Sequence, residues 1–414
     1  MKKIFLAIAV FAASLALTFN ASAQKKAMDH DVYDSWQSVS GTLMTPDGNV
    51  LVYQVNPQQG DGELTVRKTV PATKKQKAQV LTLTVPRGYM PSLDPVSLAG
   101  AEGKIVLLDT QGIGFFGYQD LMKAGAKGIL FQYGNIHFPN RDIDERDLRA
   151  HVVGEERKVL CAMIHSESAV ALVKNKVKRV RIRIRQREYE GESHNVIAQL
   201  PGETEEWIVL SAHYDSTALS HGSYDNMSGC VGLLGVLEAM KGKKRRYGLR
   251  FVFCGSEERG LLGSKAYVKA HEEELSQIAL NINLDMIGTI MGKFIARVSA
   301  EEKLAHYLSY MGAELGFPLT ASVGVYSSDS TPFADKGVPA LSLARIAGTN
   351  VAPIHCRYDR PEVLSMEQLQ KDIAFIAEFT RRMCQAAVCP VAREIPEKVK
   401  KELDEYLFRK RKEQ

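Results

Sequence analysis

The sequence predicts an α/β protein: a doubly wound, mainly parallel sheet with a smaller α/β domain ahead of it. Three observations carry that prediction. Short, β-rich apolar runs alternate with stretches of helical pattern, as parallel strands joined by helices do. Three of those runs, residues 207–212, 249–254 and 280–284, end in acids or a histidine: His213-Tyr214-Asp215, Gly255-Ser256-Glu257-Glu258 and Asp285. Ligands of such sheets bind beyond the carboxyl ends of the strands, so these polar residues are expected to converge.

The chain opens with Lys2 and Lys3, an apolar run over residues 4–19, and Ala21-Ser22-Ala23 before Gln24. That reads as a secretory signal peptide, residues 1–23, and places the protein in the periplasm or outside the cell. The run is short for a membrane span, and no later stretch approaches about 18 consecutive apolar residues, so no membrane anchor is expected after cleavage. Removing the leader takes two lysines and no acid, so the formal charge falls from +5 to +3. That is too mild to imply a nucleic-acid partner.

The 414 residues leave room for two domains. Residues 24–85 are β-rich: runs at 41–44 and 50–55 flank Pro46-Asp47-Gly48-Asn49 as a hairpin, a third strand covers 63–66, and 68–79 is a polar, Lys-rich linker. Residues 86–188 carry strands at 103–109 and 128–131, a helix over 115–124 closed by Gly125, and a further strand and helix at 162–172. The run Arg179-Val180-Arg181-Ile182-Arg183-Ile184-Arg185 alternates, which predicts a half-buried strand. Its arginine face reads as a solvated edge that discourages aggregation, with an acidic partner as the alternative. Residues 189–391 hold the polar strand ends, and 392–414 form a charged helix whose stripe of Leu403, Tyr406 and Leu407 could dock on the body or on another subunit.

The chemistry follows from the donor types. Imidazole and carboxylate suit Zn(II) and similar ions. Gathering several acids without a cation is costly, because neighbouring carboxylates oppose each other's ionisation. Asp225-Asn226-Met227-Ser228-Gly229 opens a helix of small residues between the first two runs and adds another acid to the group.

The pieces His213-x-Asp215-Ser216, Asp225-Asn226-x-Ser228-Gly229, Glu257-Glu258-x-Gly260-Leu261-Leu262-Gly263-Ser264, Asn283-Leu284-Asp285-Met286-Ile287-Gly288 and His355 stand in one order. Together they resemble the di-zinc aminopeptidases of the clan that includes aminopeptidase Y, glutamate carboxypeptidase and the transferrin receptor. The resemblance implies a zinc-exopeptidase fold, peptide substrates and two Zn(II) ions, with cobalt or manganese as alternatives. It implies Asp225 as the bridge, His213 and Asp285 on one ion, and Glu258 and His355 on the other. Glu257 becomes the general base toward a metal-bridging water, and Asp215 an orienting partner of His213. The run 124–129 with 162–172 resembles the protease-associated domain, which in this family acts as a lid or substrate filter. Ser328-Asp329-Ser330-Thr331-Pro332-Phe333 resembles a family segment with His where Ser330 stands. Tyr326, Asp329 and Arg345 are further pocket candidates; His221 reads as pocket-lining or surface.

Alternatives on the same fold are a one-zinc glutaminyl cyclase, a carboxypeptidase for acidic residues, and a non-enzymatic binding protein of the transferrin-receptor branch. The last is marked by loss of metal ligands, whereas all five ligands and the base are present here. Six cysteines, at 161, 230, 254, 356, 384 and 389, complete the inventory. Export permits disulfides, and Cys384 and Cys389 are near enough in sequence to pair. Cys254 reads as a free core thiol; Cys230 and Cys356 read as walls of the site.

Overall fold

A computed structural model describes residues 37–45, 48–57, 62–69, 80–85, 98, 100–108, 114–134, 159–185 and 190–411. The leader and its cleavage site lie outside the described residues. The chain divides into two compact units, Met1–Pro95 and Val96–Glu413.

The first unit is an antiparallel sheet, β1 (Ser38–Met44), β2 (Val50–Asn56), β3 (Gly62–Lys68) and β4 (Val80–Val85), in sequential order. The hairpin and third strand are present as expected. The fourth strand was not anticipated, because its Leu81-Thr82-Leu83-Thr84 alternation follows directly on the Lys-rich run. It pairs Leu83 with Leu64 of β3.

The second unit begins with a three-stranded parallel layer: β5 (Ile105–Leu108), β6 (Gly128–Tyr133) and β7 (Leu160–His165), in that order. Helix α1 (Phe115–Lys123) follows β5 and α2 (Ser166–Lys174) follows β7. Tyr118, Leu121, Ile129 and Phe131 form its core, and the Tyr118 hydroxyl accepts the Val159 amide at 2.7 Å. The alternating arginine run departs from expectation. Residues 177–185 have no strand pairing among the described residues. Only Ile182 is half-buried, its Cδ1 3.1 Å from where a Cβ on Gly128 would stand. Period-two alternation fixes which side chains share a face, but not whether a ladder partner exists.

The large sheet has the order β13-β12-β14-β11-β9-β10-β8, with β8 (Val196–Leu200), β9 (Trp207–His213), β10 (Gly248–Cys254), β11 (Ile278–Leu284), β12 (Lys293–Ser299), β13 (Leu319–Val323) and β14 (Ala340–Ile346). Strands β10, β9, β11 and β14 run parallel; β8 and β12 are antiparallel to their neighbours β10 and β14. Both faces are buried, so the central strands are apolar throughout rather than alternating. Ile208, Leu210, Phe251, Leu280 and Ile282 face helices α3 (Ser228–Met240), α5 (Glu302–Glu314) and α7 (Met366–Gln385). Val209, Val252, Cys254 and Ile278 face α4 (Leu262–Ala270), α6 (Ser330–Asp335) and α8 (Glu397–Tyr406). Helix α3 lies close on β11, and the fit requires glycine: a Cβ on Gly229 would stand 2.5 Å from the Leu284 carbonyl oxygen.

The charged C-terminal helix docks on the body of its own chain. Val399 and Leu403 are buried, each worth about 1.5–3 kcal/mol of apolar burial. Beyond α8, Arg409 pairs with Asp335, Arg411 pairs in bidentate fashion with Asp120 of α1 at 2.8 Å, and Phe408 stacks on Phe115. Cys384 and Cys389, near enough in sequence to pair, are not bridged; all six cysteines are free. Cys384 ends α7 inside the core with its Sγ toward the Arg381 carbonyl, and the Cys389 amide is held by the Tyr247 hydroxyl.

Candidate metal centre

Strand β9 has β10 on one side and β11 on the other, so the chain reverses direction across the sheet there and leaves a crevice at the strand ends. Register brings the ends level. Cys254 of β10 lies beside His213, and Asn283 of β11 lies beside Ser211, which puts Asp285 next to His213. The turn after β10 then supplies Glu257 and Glu258, and the segment before α3 supplies Asp225 from above.

Asp225 stands at the centre. Its Oδ1 is 3.2 Å from His213 Nε2, and its Oδ2 is 2.9 Å from His355 Nε2. His213 Nε2 also lies 3.8 Å from Asp285 Oδ1 and 4.0 Å from Glu257 Oε2. His355 Nε2 lies 2.9 Å from Glu258 Oε1. Two three-residue groups result, His213–Asp225–Asp285 and Asp225–Glu258–His355, each with ligand atoms within 4.8 Å of one another.

Electrostatics show the strain of this cluster. Burial opposes charge on His213, but Asp225 and Asp285 outweigh it and hold the imidazole well above its ordinary range. His355 is likewise pushed up to about 10, with Asp225 and Glu258 overcoming burial. Burial would raise Asp225, yet the two imidazoles hold it below the carboxylate range. Glu257 is pushed well up, first by burial and then by Asp329, Asp285 and Glu258, against His213. The buried Asp285 Oδ1 accepts no hydrogen bond. A donor set of this kind fits cations: each oxygen of Asp225 faces a separate group, and imidazole with carboxylate suits zinc.

The backbone around these residues is held by side chains. Asp359 accepts the amides of Tyr224 and Asp225 at 2.7 and 3.0 Å. Asp215 accepts the amides of Glu257 and Glu258 at 2.9 and 3.1 Å. Asn226 spans the end of β11: its Nδ2 donates to Leu284, and its Oδ1 accepts from Met286 and Gly229. Ser256, Met286 and His355 adopt left-handed backbone, a conformation that costs on the order of 1 kcal/mol outside glycine and collects at functional sites.

Several expectations change in detail. Asp215 meets His213 Nδ1 through its backbone oxygen at 3.1 Å, while its carboxylate, 3.7 Å away, is turned to the glutamate amides. It therefore positions Glu257 and Glu258 more directly than the imidazole. Arg345 does not face the crevice: its guanidinium is buried in a bidentate pair with Asp372 and lies over Phe294 and Phe317. Ser330, where the family segment has His, hydrogen-bonds Ser342 of β14. Asp329 is fully buried, its carboxyl raised to about 6 by burial, with His213 and Ser264 opposing. Tyr326 is pushed well up by burial and by the carboxylates of Asp285, Asp225 and Glu257. His221 is exposed, and Cys230 donates to the His213 carbonyl at 3.1 Å as part of the wall. Sequence reasoning assigned no role to Asp359 or Asn226. The signal was available: Asp359 follows His355 by four residues, and Asn226 adjoins Asp225.

The family model described as Peptidase family M28 matches residues 195–380, a span that contains every residue of the centre. Over those residues the chain is similar to that family. Aminopeptidase YwaD of Bacillus subtilis (strain 168) is 33% identical over 175 residues, covering 40% of this chain and 38% of that protein. Leucine aminopeptidase 2 of Trichophyton rubrum is 29% identical over 199 residues, covering 46% and 38%. The chain thus spans under half the length of the curated relatives it matches. Among solved structures, an aminopeptidase from Aneurinibacillus sp. strain AM-1 has a TM-score of 0.54 at 22% identity, covering 72% of this chain and 74% of that one. BSAP, a zinc aminopeptidase from Bacillus subtilis, has a TM-score of 0.53 at 24% identity, covering 68% and 70%. These likenesses show the fold alone: an α/β sheet with helices on both faces.

Proposed function

We propose that the protein is an exported, zinc-dependent aminopeptidase that removes N-terminal residues from peptides. The observation that carries this reading is Asp225, whose two oxygens each face a different histidine–carboxylate pair. The peptidase family of residues 195–380 and the aminopeptidase names of the relatives support it. His213, Asp225 and Asp285 would hold one zinc, and Asp225, Glu258 and His355 a second. Zinc, when bound, polarises the scissile carbonyl and makes water easier to deprotonate.

The rest falls to the chain's own residues. Glu257 is buried beside the centre, its Oε2 4.0 Å from His213 Nε2, where a carboxylate can serve as general base. It takes a proton from the attacking water and delivers it to the leaving amine. Asp215 fixes the backbone of Glu257, and so where its carboxylate points. The three-stranded layer β5–β7 with α1 and α2 is the proposed protease-associated domain, a filter for approaching peptides. Export rests on the leader at residues 1–23. Among the described residues no helix is long and apolar enough to cross a membrane.

The test is hydrolysis of a panel of aminoacyl-nitroanilides, with and without chelator, beside Glu257→Gln. The reading expects cleavage that chelator abolishes. It also expects a loss of about 10²–10⁴-fold in Glu257→Gln with zinc content unchanged. Zinc binding without cleavage of any free-amine substrate would leave the metal centre standing and overturn the reaction. Cyclisation of N-terminal glutamine would then be assayed.

A further inference from the structure

We propose that the stretch from α2 to Arg185 is a docking surface for an anionic lipid bilayer. Residues 174–185 hold seven Lys or Arg and no Asp or Glu. All seven are exposed, and none forms an ion pair among the described residues. The whole chain carries +5, so taking these seven away leaves the remainder at −2.

Geometry gives the stretch a direction. In extended backbone, alternate side chains share a face. Ile182 is the half-buried residue, packed toward Gly128 of β6. Arg179, Arg181, Arg183 and Arg185, which alternate with it in sequence, are all exposed.

Two observations choose lipid over other anions. Exposed aliphatic side chains adjoin the cations: Val170 and Val173 three apart on α2, then Val177. Cations beside aliphatic side chains suit the boundary between headgroups and acyl chains. Residues 166–185 contain no aromatic residue, so there is no stacking platform for nucleic-acid bases. The attraction is electrostatic, and it falls off within a Debye length, about 10 Å at 0.1 M salt.

The experiment is co-sedimentation of the full chain with vesicles of phosphatidylcholine alone, or of an equal mixture of phosphatidylcholine and phosphatidylglycerol. Binding is expected to the mixture only and to weaken as salt is raised. Replacing Arg179, Arg181, Arg183 and Arg185 together by Glu is expected to weaken it at least about tenfold. Replacing the same four by Lys is expected to retain it, and both variants are expected to keep wild-type nitroanilide hydrolysis. Val170→Ser with Val173→Ser is expected to weaken vesicle binding while keeping its salt dependence. Failure to bind the mixture, equal binding by the Glu variant, or tighter binding to a single-stranded oligonucleotide than to vesicles would overturn the proposal.

Discussion

His213 and His355 both reach Asp225 through Nε2, but they come from different material. His213 is the last residue of a central strand, in register with its neighbours and 1% exposed. His355 lies on a loop, in left-handed backbone, with a side chain 29% exposed. The inner half of the centre is fixed by the sheet, so its geometry comes with the fold. The outer half is assembled by side chains that grip backbone: Asp215 holds the turn carrying Glu258, and Asp359 holds the segment carrying Asp225. A site can thus be rigid by two routes, and the routes should fail differently.

The largest expected effect comes from removing what the halves share. Asp225→Ala is expected to lose metal from both and to lower peptidase activity by at least about a thousandfold, measured by metal analysis alongside nitroanilide hydrolysis. If one ion stays fully bound, the halves do not share Asp225.

The two grips come next. Asp359→Asn and Asp215→Asn each keep one acceptor and lose the second, so each is expected to cost about 10–100-fold in metal affinity or activity. Asp359→Asn should act mainly through metal affinity, because it frees Asp225. Asp215→Asn should lower turnover as well as metal affinity, because it loosens Glu257 together with Glu258. Chelator competition and steady-state kinetics separate the two, and identical profiles would erase the distinction.

Proton release sharpens the comparison further. Without metal, His355 holds its proton up to about pH 10, because Asp225 and Glu258 outweigh burial. A cation must displace that proton. Metal uptake is therefore expected to release protons at neutral pH, and affinity is expected to rise with pH until about 10. Calorimetry in buffers of different ionisation enthalpy reads this directly; uptake without proton release would contradict it. The smallest effect is far from the crevice. Arg411→Ala breaks an exposed pair with Asp120, worth less than about 1 kcal/mol. It should leave activity intact and raise hydrogen exchange in α1.

Much of this was legible in the sequence because the polar residues sit at strand ends. An apolar run that stops at His213, Cys254 or Leu284 announces both the strand and where its next side chains go. The grips were not legible in the same way. Asp359 binds the Asp225 amide from 134 residues away, a pairing that no local period reports. Asp215 was expected to serve His213, two residues off, because sequence distance is short; the fold brings it instead to amides 42 and 43 residues on. The arginine run misled for a related reason: alternation reports a face, not a neighbour. Arg345 was lost to Asp372, a buried partner on α7 that sequence spacing does not single out.

The central claim is that two cation sites share one carboxylate, the inner held by the sheet and the outer by loops. Native mass spectrometry of the metal-loaded wild type, His355→Ala and His213→Ala tests it most directly. The account predicts two zinc ions in the wild type and one in His355→Ala, the survivor resisting chelator. It predicts that His213→Ala, which removes the ligand fixed by the sheet, loses that resistant ion. A single ion in the wild type, or an unchanged pair in His355→Ala, would contradict it.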